Sequence, residues 1–371
     1  MRAVLNAHPA QLKLAKLFSS VILLGPELDE KVVRLIMHLF TPEEAELAQH
    51  LPFYYPRSLE KIARKAGLSK EQIEPLLKEM SAKRTILETS KGYSLLPLIP
   101  GMFERILMNG SDSPWHQEYA RLLVDLYGTG FVRRYTRQKL PAVRNIPLQK
   151  AVESKSQVVD EDLISELIEY HQEMGIINVC QCRQSMHFIG KECKRASPED
   201  GCLVFGSFAR SLAKDGNGRI VSKEEMREVV RERWEKKLVF LTGNVSVESP
   251  NAICTCCDCC CHFLEAVNHY GGKSLLADAH FLVELDAEAC DNCGKCVKVC
   301  NTYAHQLENK KHTYYPERCI GCGACLLVCK SQALKMVENP AYQSPTKDFK
   351  SLGLKLLPGA IFSGIKARFS K

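Results

Sequence analysis

Two stretches of this chain share one cysteine spacing. Residues 290–300 read CDNCGKCVKVC and residues 319–329 read CIGCGACLLVC, each C-x2-C-x2-C-x3-C. Three thiolates on a tight loop reach three irons of one cubane, and the fourth, carried past the loop, ligates the other cluster. The spacing therefore assigns Cys290, Cys293, Cys296 and Cys329 to one [4Fe–4S] cluster, and Cys319, Cys322, Cys325 and Cys300 to a second. Each fourth cysteine is expected to start a helix that points the other way. Gly294, Gly321 and Gly323 let the backbone wrap closely and aim N–H groups at sulfur. Two zinc sites of four cysteines each are the alternative, since tetrahedral sulfur suits zinc. The doubled motif, with x3 before the last cysteine, favours the clusters.

On these motifs the stretch from about 275 to 340 resembles the bacterial-type dicluster ferredoxin domain. HFLVELD reads as a strand before the first motif, HTYYP as a strand between them and ALKMV as a strand after. The family usually has proline after each fourth cysteine. Here the residues are Asn301 and Lys330, so the local turn must be built differently.

All 18 cysteines lie between Cys180 and Cys329. That density, about 12% of the window, signals either a disulfide framework or metal binding. Compartment separates the two. The N-terminal apolar stretch near residues 17–25 lacks a small-residue cleavage site and reads as an amphipathic helix, with a targeting peptide as the minor alternative. No stretch approaches the ~18 apolar residues of a membrane span. A cytoplasmic location is expected, where thiols stay reduced and read as metal ligands.

Ten cysteines remain. Residues 254–261 read CTCCDCCC, and Cys180, Cys182, Cys193 and Cys202 precede them. GIINV reads as a strand that continues through Cys180 and Cys182, placing both on one face. Within the run, Cys254, Cys257 and Cys260 repeat the x2–x2 spacing, and Cys256 and Cys259 form another C-x2-C. On that register Cys257 should matter more to a further centre than Cys256. Cys261 completes the run, and neighbouring cysteines do not easily share one iron site. The pattern CxCR…H…C…C…CxCCxCCC ahead of a ferredoxin domain resembles a group of uncharacterised bacterial and archaeal iron–sulfur proteins. That resemblance implies a third metal centre. A third iron–sulfur cluster is the expectation, with a zinc-stapled subdomain as the alternative. His187 is a candidate ligand, though a histidine here is more often a hydrogen-bonding neighbour.

Two lookalikes carry little. AKDGNGRIVSKE at 213–224 matches a calcium loop at Asp215, Asn217, Gly218, Ile220 and Glu224, but Ala213 stands where a carboxylate is needed. It reads as a glycine turn, then a helix capped by Ser222 and Glu225. GGKS at 271–274 lacks the upstream glycine of a phosphate loop, since position 267 is Val267.

The cysteine-free half has helical periodicity in DEKVVRLIMHLF. Thr41 caps a second helix, a third stops at Gly67, and Ser69 with Gln72 forms a capping box. RTILETSKGYSLLPL reads as a hairpin turning at Lys91–Gly92. Helices and hairpin together resemble a winged helix-turn-helix domain. The motif helix over 70–84 has four basic residues against Glu71, Glu74 and Glu79, so packing or partner docking is preferred to DNA reading. Residues 126–152 hold Arg133, Arg134, Arg137, Lys139, Arg144 and Lys150 with no acid. This is part linker, or a dock for an acidic redox partner. The tail from 341 mixes apolar and basic residues and suits peripheral contact with a partner or membrane surface. The formal charge of +7 falls to about +3 with two oxidised cubanes and about +1 with three, so bulk charge is no argument for nucleic acid.

The expected architecture is an α+β multidomain protein: an N-terminal helix (1–28), a winged-helix-like domain (29–110), a helix and basic linker (111–155), a cysteine-rich α/β metal-binding domain (156–273), a dicluster ferredoxin-like domain (274–340) and a tail (341–371). The expected function is electron transfer as a subunit or partner of a larger oxidoreductase, without nucleic acid. A redox-sensing winged-helix regulator and a catalytic oxidoreductase subunit are the alternatives.

Overall fold

Side-chain caps set the first helices. In the computed structural model, which describes residues 6–20, 23, 25–136, 139–147, 164–249 and 252–369, the chain forms two compact units. The first is Met1–Val132 with Gln184–Gly190 and Gly364–Lys371; the second is Arg133–Arg183 with Lys191–Ser363.

In the first unit, Glu44 donates its N–H to Thr41 Oγ1 (3.2 Å) and Thr41 donates its N–H to Glu44 Oε2 (2.9 Å). This reciprocal pair opens the helix Pro42–Ala48. Ser69 and Gln72 do the same for Lys70–Ala82. Helix Leu59–Ala66 stops at Gly67. Strands β1 (Leu87–Thr89) and β2 (Gly92–Ser94) form an antiparallel hairpin. Its turn is Ser90–Lys91, one residue earlier than the sequence suggests, because Thr89 pairs with Gly92. Leu14, Phe18, Leu35, Ile36, Leu39, Phe40, Ile62 and Leu77 are buried in the core of the unit. The basic residues over 70–84 are engaged: Lys70 with Glu60 (2.8 Å), Lys78 with Glu74 (2.8 Å), Lys83 with Glu44 (2.6 Å), and Arg84 with the Arg105 carbonyl (3.4 Å).

The second unit is built on a six-stranded sheet, order β3-β7-β8-β5-β4-β6. Its strands are β3 (Val143–Ile146), β4 (Met174–Ile177), β5 (Leu203–Phe205), β6 (Gly218–Ile220), β7 (Val239–Gly243) and β8 (Ala252–Cys256). Neighbours pair antiparallel. Helices Ile164–Tyr170 and Lys223–Glu235 cover one face with Leu167, Ile168, Met226 and Val230. Part of the basic stretch is therefore sheet, not linker. Arg144 on β3 is buried and donates to the Val245 carbonyl (3.2 Å). Lys139 pairs with Asp278, and the Arg133 guanidinium lies 4.8 Å over the Tyr270 ring. Arg137 and Lys150 lie outside the described residues.

Strands β9 (Phe281–Leu285) and β12 (Leu334–Glu338) pair antiparallel, as do β10 (His305–Glu308) and β11 (Lys311–Tyr314). Cys322, Ala324, Leu326, Leu327 and Met336 pack into the core of the six-stranded sheet. Contrary to expectation, the fourth cysteine of each motif ends a helical turn. Helix Lys295–Val299 starts after Gly294, held at φ 69°, and Cys300 caps its C-terminus. The 3-10 turn Leu326–Val328 ends likewise at Cys329. The x3 spacer is one helical turn, so Cys300 donates its N–H to the Cys296 carbonyl (3.1 Å). At Gly321 a Cβ would lie 2.0 Å from the Phe281 carbonyl oxygen, so only glycine fits.

A helix spans Phe349–Phe369, with Leu354, Leu357, Phe362 and Ile365 exposed. Among the described residues no helix is long and apolar enough to cross a membrane.

Candidate metal centres

Cys290, Cys293, Cys296 and Cys329 line one small cavity together with His312 and Leu334. Cys300, Cys319, Cys322 and Cys325 line another with Thr302, Ala304 and Ile320. Four thiols set around a space, with N–H groups aimed at sulfur, fit a four-iron cubane. Ala304 donates its N–H to Cys300 Sγ (3.2 Å), and Gly321 to Cys319 Sγ (3.4 Å). Burial pushes the Cys296 thiol up to about 11 and the Cys322 thiol up to about 12. Loading iron there releases protons that these thiols otherwise keep.

Two buried histidines flank the first set. His312 Nδ1 lies 3.4 Å from Cys290 Sγ, and its Nε2 lies 3.5 Å from Cys296 Sγ and 2.9 Å from His305 Nδ1. Burial lowers both, His305 to about 4 with the charge of His312 assisting, so both rings are neutral at pH 7. Ligating Cys290 and Cys296 thiolates only accept. A neutral His312 has one N–H, and on either ring nitrogen it points at a thiol of the first set, Cys290 from Nδ1 or Cys296 from Nε2. An N–H donated to a cluster sulfur favours the reduced, more negative state. His312→Leu should therefore make the potential of the cluster on Cys290 more negative and leave the other where it was. A redox titration followed by electron paramagnetic resonance reads both; an unmoved first potential would remove this role from His312.

The other ten thiols fall into two groups. Strand β8 carries Cys254 and Cys256 on one face by its two-residue period. Cys202 lies across from Cys254, since Leu203 pairs with Ile253 on the antiparallel ladder. Cys180 and Cys182 sit where β4 gives way to helix Gln181–Phe188, so they do not continue a strand. Cys261 is the N-cap of helix His262–His269. These six make a closed ring of thiol contacts, in the order Cys180, Cys182, Cys261, Cys256, Cys254, Cys202 and back to Cys180. The Cys256 and Cys261 sulfurs are 3.3 Å apart. Ionisation alternates around the ring. Hydrogen bonds from Cys182 and Cys202 lower Cys180, those from Cys182 and Cys256 lower Cys261, and those from Cys202 and Cys256 lower Cys254 to about 5. The three donors are pushed up by the same bonds.

The second group is Cys193, Cys257, Cys259 and Cys260. After β8 the chain turns tightly, with Cys261 N–H donated to the Cys257 carbonyl (3.0 Å). The turn sends Cys257, Cys259 and Cys260 away from the ring. Cys257 and Cys259 sulfurs are 3.4 Å apart, and Cys259 and Cys193 sulfurs 3.7 Å apart. Cys260 lies on the same turn, its thiol 3.9 Å from the Cys257 carbonyl. The x2–x2 register of Cys254, Cys257 and Cys260 is thus broken: the strand takes Cys254 to the ring, and the turn takes the other two to the second group. His187 packs against Phe188 and is in none of the ligand groups found among the described residues.

Arg183 follows Cys182 directly and is 2% exposed. It donates to the backbone carbonyls of Asp200 (2.6 Å) and Thr255. Burial opposes its charge, but Cys180, Cys260, Cys193 and Cys256 outweigh burial and raise its pKa. These thiols come from both groups, so one buried cation serves both. The motif CxCR contains this residue, and its signal was adjacency to the thiols.

Asn301 explains the missing proline. It is 1% exposed. Its Oδ1 accepts from Asp258 N–H (3.1 Å) and Arg195 Nη1 (2.9 Å), and its Nδ2 donates to the Lys237 carbonyl (3.1 Å). Proline would supply none of these. The residue after Cys300 therefore ties the second dicluster set to the turn that carries Cys257 and Cys259. Cys322 and Ile320 also pack in one apolar cluster with Cys256 and Cys261.

Residues 282–330 match the family described as 4Fe-4S dicluster domain. No curated protein and no solved structure matches the chain. The chain therefore carries an iron–sulfur-binding 4Fe-4S dicluster domain, set in a mixed α/β protein beside a dense cluster of further cysteines.

Proposed function

We propose that this chain is an iron–sulfur electron-transfer protein with two [4Fe–4S] clusters, on the Cys290–Cys293–Cys296–Cys329 and Cys319–Cys322–Cys325–Cys300 sets, and a third iron–sulfur centre on the six-thiol ring. The observation that carries this reading is the shared core: Cys322 packs against the apolar cluster that contains Cys256 and Cys261. The two kinds of thiol set thus border one apolar cluster. Bound iron–sulfur clusters supply one-electron chemistry over about −700 to +450 mV. Six thiolates exceed the four that one cubane takes, so the ring suits a centre with more metal or with bridging thiolates.

Exposure gives the series two ends. Cys293 is exposed, whereas Cys180, Cys202, Cys256 and Cys261 are buried. A redox partner protein, or the larger oxidoreductase of which this chain is a part, would approach at Cys293. The helices and hairpin over residues 30–94 fit a winged-helix domain used for docking, since the basic residues of its motif helix are engaged with acids and a carbonyl.

The test is an anaerobic titration of the full chain with a one-electron reductant, followed by electron paramagnetic resonance. The expected result is stepwise reversible reduction, with spin interaction between the cluster on Cys322 and the ring centre. A protein whose iron takes up no electrons reversibly across the range above is not an electron carrier.

A further inference from the structure

We propose that Cys193, Cys257, Cys259 and Cys260 form a separate site for a single tetrahedrally coordinated divalent ion, zinc or ferrous iron. The middle domain then holds two centres, one on the ring and one here. The inference shares with the functional reading only that these thiols bind metal; it does not depend on electron transfer.

Geometry separates a one-ion site from a cubane. Four sulfurs at about 2.3 Å from one ion stand about 3.8 Å apart. The observed separations are 3.4 Å for Cys257–Cys259 and 3.7 Å for Cys259–Cys193. Ligand atoms of Cys193, Cys257 and Cys259 all lie within 4.8 Å of one another; Cys260 follows on the same turn, its thiol 3.9 Å from the Cys257 carbonyl, and is the fourth ligand of the proposal. A cubane needs its thiols spread around a core of four irons, as the dicluster thiols are spread around their cavities. The short separations at Cys259 suit a single central ion.

The surroundings suit a closed, anionic site. Cys257 is fully buried and Cys260 is 5% exposed. Four thiolates with a divalent ion carry a formal charge of −2, and buried charge of that size needs cations. The buried Arg183, directly after Cys182, donates to the carbonyl of Thr255, two residues before Cys257, and its charge interacts with those of Cys193 and Cys260. Lys194 donates its N–H to Cys259 Sγ (3.4 Å), and its ammonium pairs with Asp258 inside the turn (2.7 Å). Arg195 runs from the same loop to Asn301 and the Lys298 carbonyl (3.0 Å). The ion therefore fastens the Cys193 loop to the cysteine turn, at the place where that turn meets the residue after Cys300.

Metal analysis of anaerobically purified full-length chains tests this. Cys193→Ser and Cys259→Ser should each lose about one zinc or one iron per chain and keep the rest. Cys202→Ser, in the ring, should lose several irons and keep the single ion. X-ray absorption at the metal edge of the unaltered protein needs no variant; it should show one metal with four sulfurs at about 2.3 Å. Loss of about four irons from Cys193→Ser would mean a cubane and overturn the proposal. So would no loss of metal, or identical losses from Cys193→Ser and Cys202→Ser, which would mean one pooled centre. If the single ion is present but no iron accepts electrons reversibly, the functional reading fails and this one stands.

Discussion

Arg183→Met is expected to strip the middle domain of metal and leave the dicluster segment with its iron. The physical reason is charge. Arg183 is buried, its described hydrogen bonds go to two backbone carbonyls, and the charges of thiols from both groups favour its cation. Metal binding requires these thiols as thiolates. Removing the cation leaves buried negative charge uncompensated, which costs about 3–5 kcal/mol. At about 1.4 kcal/mol per decade, that weakens metal retention by about two to nearly four orders of magnitude. Arg183→Lys keeps the charge but loses the fork that reaches both carbonyls, so it should fall between the two. The check is iron and zinc per chain, with the dicluster signals as an internal reference. Full metal content in Arg183→Met would mean that the cation is not what holds the thiolates.

Cys300→Ala gives the second large effect. Cys300 lines the cavity of Cys319, Cys322 and Cys325, although it belongs in sequence to the first motif. The expected result is loss or conversion of the cluster on those three, with about one to four irons released, while the cluster on Cys290, Cys293 and Cys296 keeps its signal. Selective loss of the first cluster would refute the crossed assignment. The backbone N–H of Ala304, which points at Cys300 Sγ (3.2 Å), would also lose its acceptor, so the turn after the first motif should loosen as well.

These two residues differ in how visible they were. Cys300 was legible from spacing alone, because three thiolates on one loop cannot complete a cubane and the fourth must come from elsewhere. The caps at Thr41 and Ser69 were legible for a similar reason: a cap is a contact between residues three apart. The division of the ten middle-domain thiols was not. It depends on β8 ending at Cys256 and a tight turn starting at Cys257, and the run CTCCDCCC looks continuous until that strand end is known. The x2–x2 spacing of Cys254, Cys257 and Cys260 repeats that of the ferredoxin loops, but its first cysteine lies on a strand and the other two do not. Arg183 stood beside the thiols in plain view, yet its burial comes from helices and strands far away in sequence. In the sequence Asn301 stands out only as a missing proline; its partners at Lys237, Arg195 and Asp258 are contacts that no local pattern encodes.

The most direct measurement is a count of iron, zinc and acid-labile sulfide per chain in anaerobically purified full-length protein. Two cubanes account for about eight irons and eight sulfides. The account predicts more than eight irons, sulfide in excess of eight, and one further ion bound by four sulfurs. Eight irons with no other metal would leave ten thiols without a ligand and contradict it.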